Sequence, residues 1–550
     1  MSTPHFGIGQ VRDDSKGFDK YTQVRFRSGV DRYEHGVQGE PQPILRSKQV
    51  PEKQHADTSR QRVRSLRLWE VMALSLASVG PMMALSGNAQ GTAGYVGAAI
   101  PVAMACAAGG VLLIALGFAI LSRHTAHMGS VYGLVGKAIG PRSGMFSGIA
   151  ILGAYVALAT CCGGIFAATF NSLLQQILGA DAFQLPWIVP ALACVVVAAT
   201  LAFAGTSTVA RVLLISELLG VGLALVLAIT VFARGGAPST GIDLSSTLDL
   251  EGVPHSALLA AGVMGFLAWA GFEAGAALGE ETADPKRNIP LALVGVVIIV
   301  GLLYTFVMTA LVCGFGTDTS GLDALESSGS TLGDLGTRYL GPGFSIAIVI
   351  TVCISAFAGN LAVASAAGRI ICALARDGIG PRALAKSHAK LGTPTNAVVT
   401  VLVLNAALNT LGWATGFTNM GTGNPAIDAY IYFASIGSVA LLVSYLTVQV
   451  AGIRQSFTEF RTGPAVCMFA LLTLGGVGVV LVLLANLRAQ ESILTGPATW
   501  GLLWCGAGLA VALFSSQVTA RRIQNSLQSD TESDAGEATA AEARVLSKDQ

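Results

Sequence analysis

Long apolar runs separated by short polar connections dominate the chain from about residue 66 to about residue 516. Residues 71–122 contain no Asp, Glu, Lys or Arg, and neither do residues 143–180. A helix needs roughly 20 apolar residues to cross the hydrocarbon core of a bilayer, so the first run holds two crossings. Read this way, segments 71–90, 98–121, 145–170, 186–205, 209–233, 256–279, 290–316, 343–374, 396–413, 427–450, 464–485 and 497–516 predict twelve transmembrane helices. The runs are long and continuous, unlike the short alternating segments of a membrane barrel. The expected fold class is therefore an all-α polytopic membrane protein.

The ends of the chain are different. Residues 1–65 and 521–550 are polar and mixed in charge, and read as disordered tails flanking a transmembrane domain at 66–520. No early apolar stretch resembles a cleavable signal peptide. Orientation follows from the Lys/Arg bias of short loops. With the amino terminus inside, twelve basic residues fall in inner loops: Arg123, Lys137, Arg142, Arg211, Lys286, Arg287, Arg376, Arg382, Lys386, Lys390, Arg454 and Arg461. Only Arg234, Arg338 and Arg488 fall outside. Both termini are expected in the cytoplasm, and the Gly-, Ala- and Val-rich composition fits a bacterial inner membrane.

Composition sharpens this picture. Hydrophobic residues make up 52% of the chain and charged residues 12%, against about 25% charged in a soluble domain. A net charge of +1 gives no reason to expect nucleic acid as a partner. The nine cysteines lie in apolar stretches without a C-x-x-C pair, so they read as packing residues and not as metal ligands or disulfides. None of the seven histidines lies centrally in a span, which argues against a His proton relay or an intramembrane metal site. No cofactor is expected. Gly is abundant, and patterns such as Gly144-x-x-x-Gly148 read as close helix packing.

Two segments are expected to break their helices. The first span carries Ser78-Val79-Gly80-Pro81-Met82-Met83. Pro81 lacks an N–H and clashes with the preceding turn, and Gly80 supplies backbone freedom beside it. The sixth span carries Gly265 and Gly271 around Trp269, with Glu273 following. Irregular backbone at membrane depth is tolerated only where it lines a cavity or is buried in protein. Such breaks expose N–H groups that suit a carboxylate and carbonyls that suit an ammonium, the two groups of an amino acid. A simple proline kink and a glycine packing notch are the alternative reading.

Two ionisable residues lie inside spans. Glu217 sits eight residues into the fifth span, about 12 Å along its axis. Glu273 follows the break in the sixth. An intramembrane carboxyl is either a proton carrier or a structural acceptor for free N–H groups. The structural role is favoured for Glu273, and both roles stay open for Glu217.

Three motifs resemble one family. Residues 265–293, GFLAWAGFEAGAALGEETADPKRNIPLAL, resemble the sixth-span signature of the amino acid–polyamine–organocation family: aromatic-x-Gly-aromatic-Glu, a Glu-Glu pair, then Asp-Pro-basic-x-x-Ile-Pro. Residues 359–397 resemble that family's eighth span and following loop, with Arg369, Arg376-Asp377-Gly378, Pro381 and Thr393-Pro394. Residues 127–148 resemble its Gly-rich entry to span 3, with Tyr132. The resemblance covers about residues 66–516. It implies a LeuT-like five-plus-five inverted repeat with discontinuous helices 1 and 6, plus two further helices.

The function the resemblance implies is secondary active transport of an amino acid or related amine by alternating access, with a proton as the coupling ion. The substrate carboxylate would meet backbone of Val79, Gly80, Met82 and Met83, and the ammonium carbonyls of Leu267, Ala268 and Ala270. Trp269 would stand at or beside the pocket as a wall or gate. The sequence departs from the commoner family pattern where Pro81-Met82-Met83 replaces a Gly-small-Gly break. It departs again where Glu217 is the ionisable residue nearest to a lysine that some members carry. With no acidic group in the pocket besides Glu273, a neutral or apolar amino acid is expected. An exchanger is the alternative within transport. A sensor is disfavoured by tails without a folded signature, and an enzyme by the absence of a nucleophile–base or metal set.

Overall fold

The computed structural model describes residues 66–123, 131–179, 184–202, 206–250, 252–278, 282–386, 394–459, 462–490, 496–521 and 523–525. The expected tails therefore lie almost wholly outside the described residues, as does the Glu280-Glu281 pair. Seventeen α-helices are present among the described residues. In chain order they are α1 (Leu68–Val79), α2 (Pro81–Val96), α3 (Ile100–Arg123), α4 (Val131–Ala138), α5 (Pro141–Leu178) and α6 (Ile188–Ala202). Next come α7 (Thr206–Ala233), α8 (Leu244–Leu248), α9 (His255–Leu267), α10 (Pro285–Phe315), α11 (Thr319–Ser327) and α12 (Thr331–Leu340). The last are α13 (Pro342–Arg376), α14 (Thr395–Thr415), α15 (Pro425–Glu459), α16 (Thr462–Ala489) and α17 (Pro497–Phe514). Only isolated bridges, Leu66 with Thr282 and Ala237 with Gly241, pair backbone in the manner of strands among these residues.

Every apolar segment expected to span coincides with a helix or a broken pair of helices. Nine helical stretches among the described residues are long and apolar enough to cross a membrane, and α1, α6 and α9 are shorter apolar helices. One of the nine, Pro81–Arg123, is 43 residues long and turns at Gly97, where φ is +54°. The exposed faces match a lipid solvent. On α7 they carry Val212, Ile215, Leu218, Leu219, Val226 and Ile229, and on α16 Val466, Phe469, Leu474 and Val477. Apolar stripes this large are absent from the water-facing surface of a monomeric soluble protein.

The interior is held by two long helices around α5. Helix α5 packs along α13 on one side and α15 on the other, and α3 packs along α10. Small residues permit the approach. A Cβ at Gly164 of α5 would stand 2.7 Å from the Ala426 carbonyl oxygen and 2.8 Å from the Tyr430 nitrogen of α15. Both are backbone atoms, which cannot swing away. Polar side chains join helices where lipid offers no partner. Asn405 donates to the Ala159 carbonyl at 2.9 Å, Asn360 to the same oxygen at 3.3 Å, and Asn409 to the Thr160 carbonyl at 3.2 Å. Together they pin α13 and α14 to α5.

Each end of the bundle has its own fastening. At one end, the Tyr132 hydroxyl of α4 donates to the Asp377 carboxylate at the end of α13. Two of the motif segments singled out in the sequence thus meet. At the other end, Gln90 of α2 donates to the Ser328 carbonyl between α11 and α12, and Thr331 donates to the Ser86 carbonyl at 3.2 Å. Tyr430 of α15 donates to Asn88. In the connection before α9, the Asp243 carboxylate caps α8 through Ser246 N–H at 3.0 Å and accepts from Thr317 at 3.1 Å. The Ser245 and Ser246 hydroxyls hold this carboxyl below the usual carboxylate range.

Two outcomes follow. Gly164→Val forces α5 from α15, a clash that costs about 1–3 kcal/mol or more; thermal unfolding in detergent should show a lowered midpoint. Gly222→Ala, with open space around it, should leave the midpoint unchanged. Because Asp243 is depressed in the folded chain, its fastening is present above the ordinary carboxylate pKa and is lost only as pH falls through the lower folded value. Limited proteolysis of the connection between α7 and α9 should therefore stay slow in wild type at mildly acidic pH. The same connection should be cut readily at neutral pH in Asp243→Ala.

Candidate functional site

Both expected helix breaks are present, each narrower than the sequence suggested. The first is one residue wide. Gly80 adopts φ +65°, ψ +57°, ending α1 and starting α2. Pro81 then takes the first helical position, where its missing N–H costs nothing and its fixed φ suits the helix. Proline here begins a helix and does not kink one. The second break covers residues 268–271, between α9 and the 3-10 helix Phe272–Leu278. Gly265, expected to bracket this break, remains helical. Its missing side chain instead admits α3, since a Cβ there would stand 2.6 Å from Ala107 Cβ. Gly271 has φ +102°, and a Cβ on it would stand 2.4 Å from the Ser78 carbonyl oxygen. The two breaks therefore touch backbone to backbone.

Each break is met by one carboxylate. At the first, the Met82 N–H donates to Glu217 Oε1 at 2.9 Å. The Met83 N–H donates to Ser355 Oγ at 3.1 Å, and that hydroxyl donates to Glu217 Oε1 at 3.1 Å. Glu217 is 3% exposed, so this node ties α2, α7 and α13 together inside the protein. A negative group at a helix N-terminus meets both free N–H donors and the favourable end of the helix dipole. The Met82 side chain fits because α7 has Gly220 one turn on from Glu217. A Cβ there would stand 2.6 Å from Met82 Cγ.

At the second break Glu273 accepts three bonds. Tyr155 of α5 donates to Oε1 at 2.7 Å, while Tyr445 of α15 at 2.9 Å and the Gly271 N–H at 3.0 Å donate to Oε2. Phe272 and Phe118 stand edge-on to the Tyr445 ring at 5.9 and 5.6 Å, walling the carboxylate off. Beside it, the Tyr304 hydroxyl donates to the Ala268 carbonyl at 2.9 Å. The Trp269 indole donates to the Val297 carbonyl at 3.3 Å and packs edge-on to Tyr304 at 5.1 Å. Trp269 is fully buried against α10.

Among the eight residues expected to touch substrate, Val79, Gly80, Met82, Leu267, Ala268 and Trp269 are buried, while Met83 and Ala270 are half-buried. Those two are only partly buried and pack against the same apolar cluster, drawn chiefly from α5, α9 and α15. The structure also brings in Ser355, Tyr155, Tyr304 and Tyr445, which the sequence reading did not single out. Tyr155 carried a signal, because a tyrosine midway along an apolar span lies far from the interfaces where that residue concentrates. Ser355 carried none, since small hydroxyls are common in such helices. No group of three metal-ligating side chains occurs among the described residues.

Touching helix breaks, each served by a buried carboxylate, are set in a bundle whose outward faces suit lipid. The sequence model for amino acid permeases matches residues 66–514, a stretch that includes both breaks and both carboxylates. The chain belongs to the amino acid permease family. Over 318 residues this permease is 25% identical to a branched-chain amino acid permease of Lactococcus lactis, covering 53% of the chain and 63% of the relative. It thus spans just under two thirds of that relative's length. Over 371 residues it is 26% identical to an uncharacterized transporter of Mycobacterium bovis, covering 63% of the chain and 74% of the relative. Over 253 residues it is 26% identical to cationic amino acid transporter 7, chloroplastic, of Arabidopsis thaliana, covering 46% and 38% respectively. The family is one of amino acid permeases, and the three relatives are named as a permease and two transporters.

Removing an acceptor that serves three donors leaves each of them costing about 1–3 kcal/mol if water cannot reach it. Glu273→Ala should therefore lower the thermal midpoint in detergent well beyond Tyr445→Phe, which removes one donor. Equal losses would show that the carboxylate is not the centre of this junction.

Proposed function

We propose that this permease takes up a neutral, apolar amino acid across the cytoplasmic membrane by alternating access, in symport with a proton. In this reading the chain crosses the bilayer twelve times with both termini in the cytoplasm. Ten spans form a LeuT-like five-plus-five inverted repeat, with α1–α2 and α9–(272–278) as the discontinuous first and sixth helices. Family membership, the two breaks and the apolar faces support it. A relative named for branched-chain amino acids and the apolar cluster beside Met83 and Ala270 support the substrate class.

The observation that carries the coupling is the hydrogen bond from Met82 to Glu217. The substrate carboxylate would use the backbone at Val79, Gly80, Met82 and Met83. Glu217 and Ser355 already accept from Met82 and Met83. Two carboxylates cannot share one helix N-terminus in a low-dielectric site unless one is neutral. A proton on Glu217 removes that repulsion and releases the Met82 N–H, so proton and substrate bind together. The substrate ammonium would meet carbonyls of Leu267, Ala268 and Ala270, with Trp269 as a fixed wall behind them. Glu273 is assigned the structural part, since its three donors fix the second break. The bonds from α2 to the α11–α12 segment and to Tyr430 would close one side, and would have to open for the other half-cycle.

The test is uptake into proteoliposomes of a labelled amino-acid panel, with and without an inward proton gradient, for wild type and Glu217→Gln. In wild type the gradient should drive accumulation, and substrate affinity should fall by up to about tenfold per pH unit once Glu217 ionises. In Glu217→Gln both dependences should vanish while exchange persists. Wild-type uptake that ignores the gradient and requires internal amino acid would make the protein an exchanger and Glu217 a structural acceptor.

A further inference from the structure

Met82 and Met83 are neighbours on α2 and so point about 100° apart around its axis. Their surroundings differ accordingly. Met82 is fully buried against Gly220 and acts as packing. Met83 is half-buried, and its Sδ lies 3.6 Å from the Cys162 thiol of α5. Across from it is Gly359 of α13. A Cβ on Gly359 would stand 3.3 Å from Cys162 Sγ and 3.6 Å from both Met83 Sδ and Cε. The thioether thus lies between α5 and α13, where a methyl group on Gly359 would press on Cys162 and reach Met83 at contact distance, and a larger side chain would displace it.

We propose that Met83, backed by Cys162 and admitted by Gly359, sets the largest apolar side chain this permease accepts. The proposal rests on the broken-helix site argued above. There the two charged groups of the substrate are held by α2 and by the end of α9. Its side chain then leaves toward the apolar cluster that Met83 and Ala270 pack against, and Met83 stands where that cluster meets α5 and α13. A methionine suits that place chemically, because its unbranched, polarisable side chain gives an apolar contact that adapts to different partners.

The experiment measures kcat/KM in proteoliposomes for alanine, valine, leucine and phenylalanine, using wild type, Met83→Ala, Met83→Leu and Gly359→Ala. Loss of one methylene-sized contact in an apolar pocket changes discrimination by roughly 10- to 200-fold. Met83→Ala should raise the phenylalanine-to-alanine ratio by about tenfold or more, and Met83→Leu, which refills the volume, should bring it back toward wild type. Gly359→Ala should move the ratio the other way, penalising leucine before alanine. If Met83→Ala transports with the wild-type ratio, the proposal is overturned while the site reading stands. If Met83→Ala does not fold, an unchanged ratio in Gly359→Ala overturns it equally. Wild type that moves none of the four amino acids sinks the site reading and this proposal with it.

Discussion

Every interruption of a helix inside a bilayer must find partners for the backbone groups it frees, because lipid supplies none. That requirement shapes the centre of this permease. Gly80 and residues 268–271 interrupt two helices that touch there, and each interruption is answered by a carboxylate: a distant one, Glu217, at the first and one only two residues past Gly271, Glu273, at the second. Glu217 accepts from the start of α2, and Glu273 accepts from Gly271. Neither carboxylate stands alone. Ser355 donates to the first, and Tyr155 and Tyr445 donate to the second. Through these bonds the positions of α5, α7, α13 and α15 are referred to the two breaks.

The second constraint is distance. Hydrogen bonds at 2.7–3.1 Å between separate helices require backbones closer than most side chains allow. Glycine appears at the contact points for that reason: Gly271 against Ser78, Gly220 against Met82 and Gly164 against α15. The asparagines of α13 and α14 serve the scaffold side in the same way, giving amide donors to carbonyls of α5 that already take part in its helix. Packing and polar satisfaction are therefore one problem here, since the small residues decide whether the donors can reach.

Pro81 and the two methionines give this break its own character. A proline in the first helical position removes one N–H from the end of α2, leaving Met82 and Met83 as the first donors. One of these is taken by a carboxyl side chain and the other by a hydroxyl. The long side chains then diverge, one into packing against α7 and the other toward the accessible interior. A glycine in place of Pro81 would restore that donor, and a small residue in place of Met83 would leave a wider floor.

The sequence alone determined the all-helical class, the places where apolar helices run, the two weak points at Gly80 and Gly271, and the two carboxylates worth attention. These are local properties: run length, missing charge, proline and glycine. It did not determine that the sixth-span break starts at Ala268 and leaves Gly265 helical, or that Trp269 turns away to α10. It also could not pair Glu217 with Met82, which lies 135 residues earlier, or Glu273 with Tyr445, 172 residues later. Those pairings depend on how each helix is rotated and crossed. Spans that are apolar on nearly every face carry little record of rotation, so only the packed tertiary structure decides which polar groups meet.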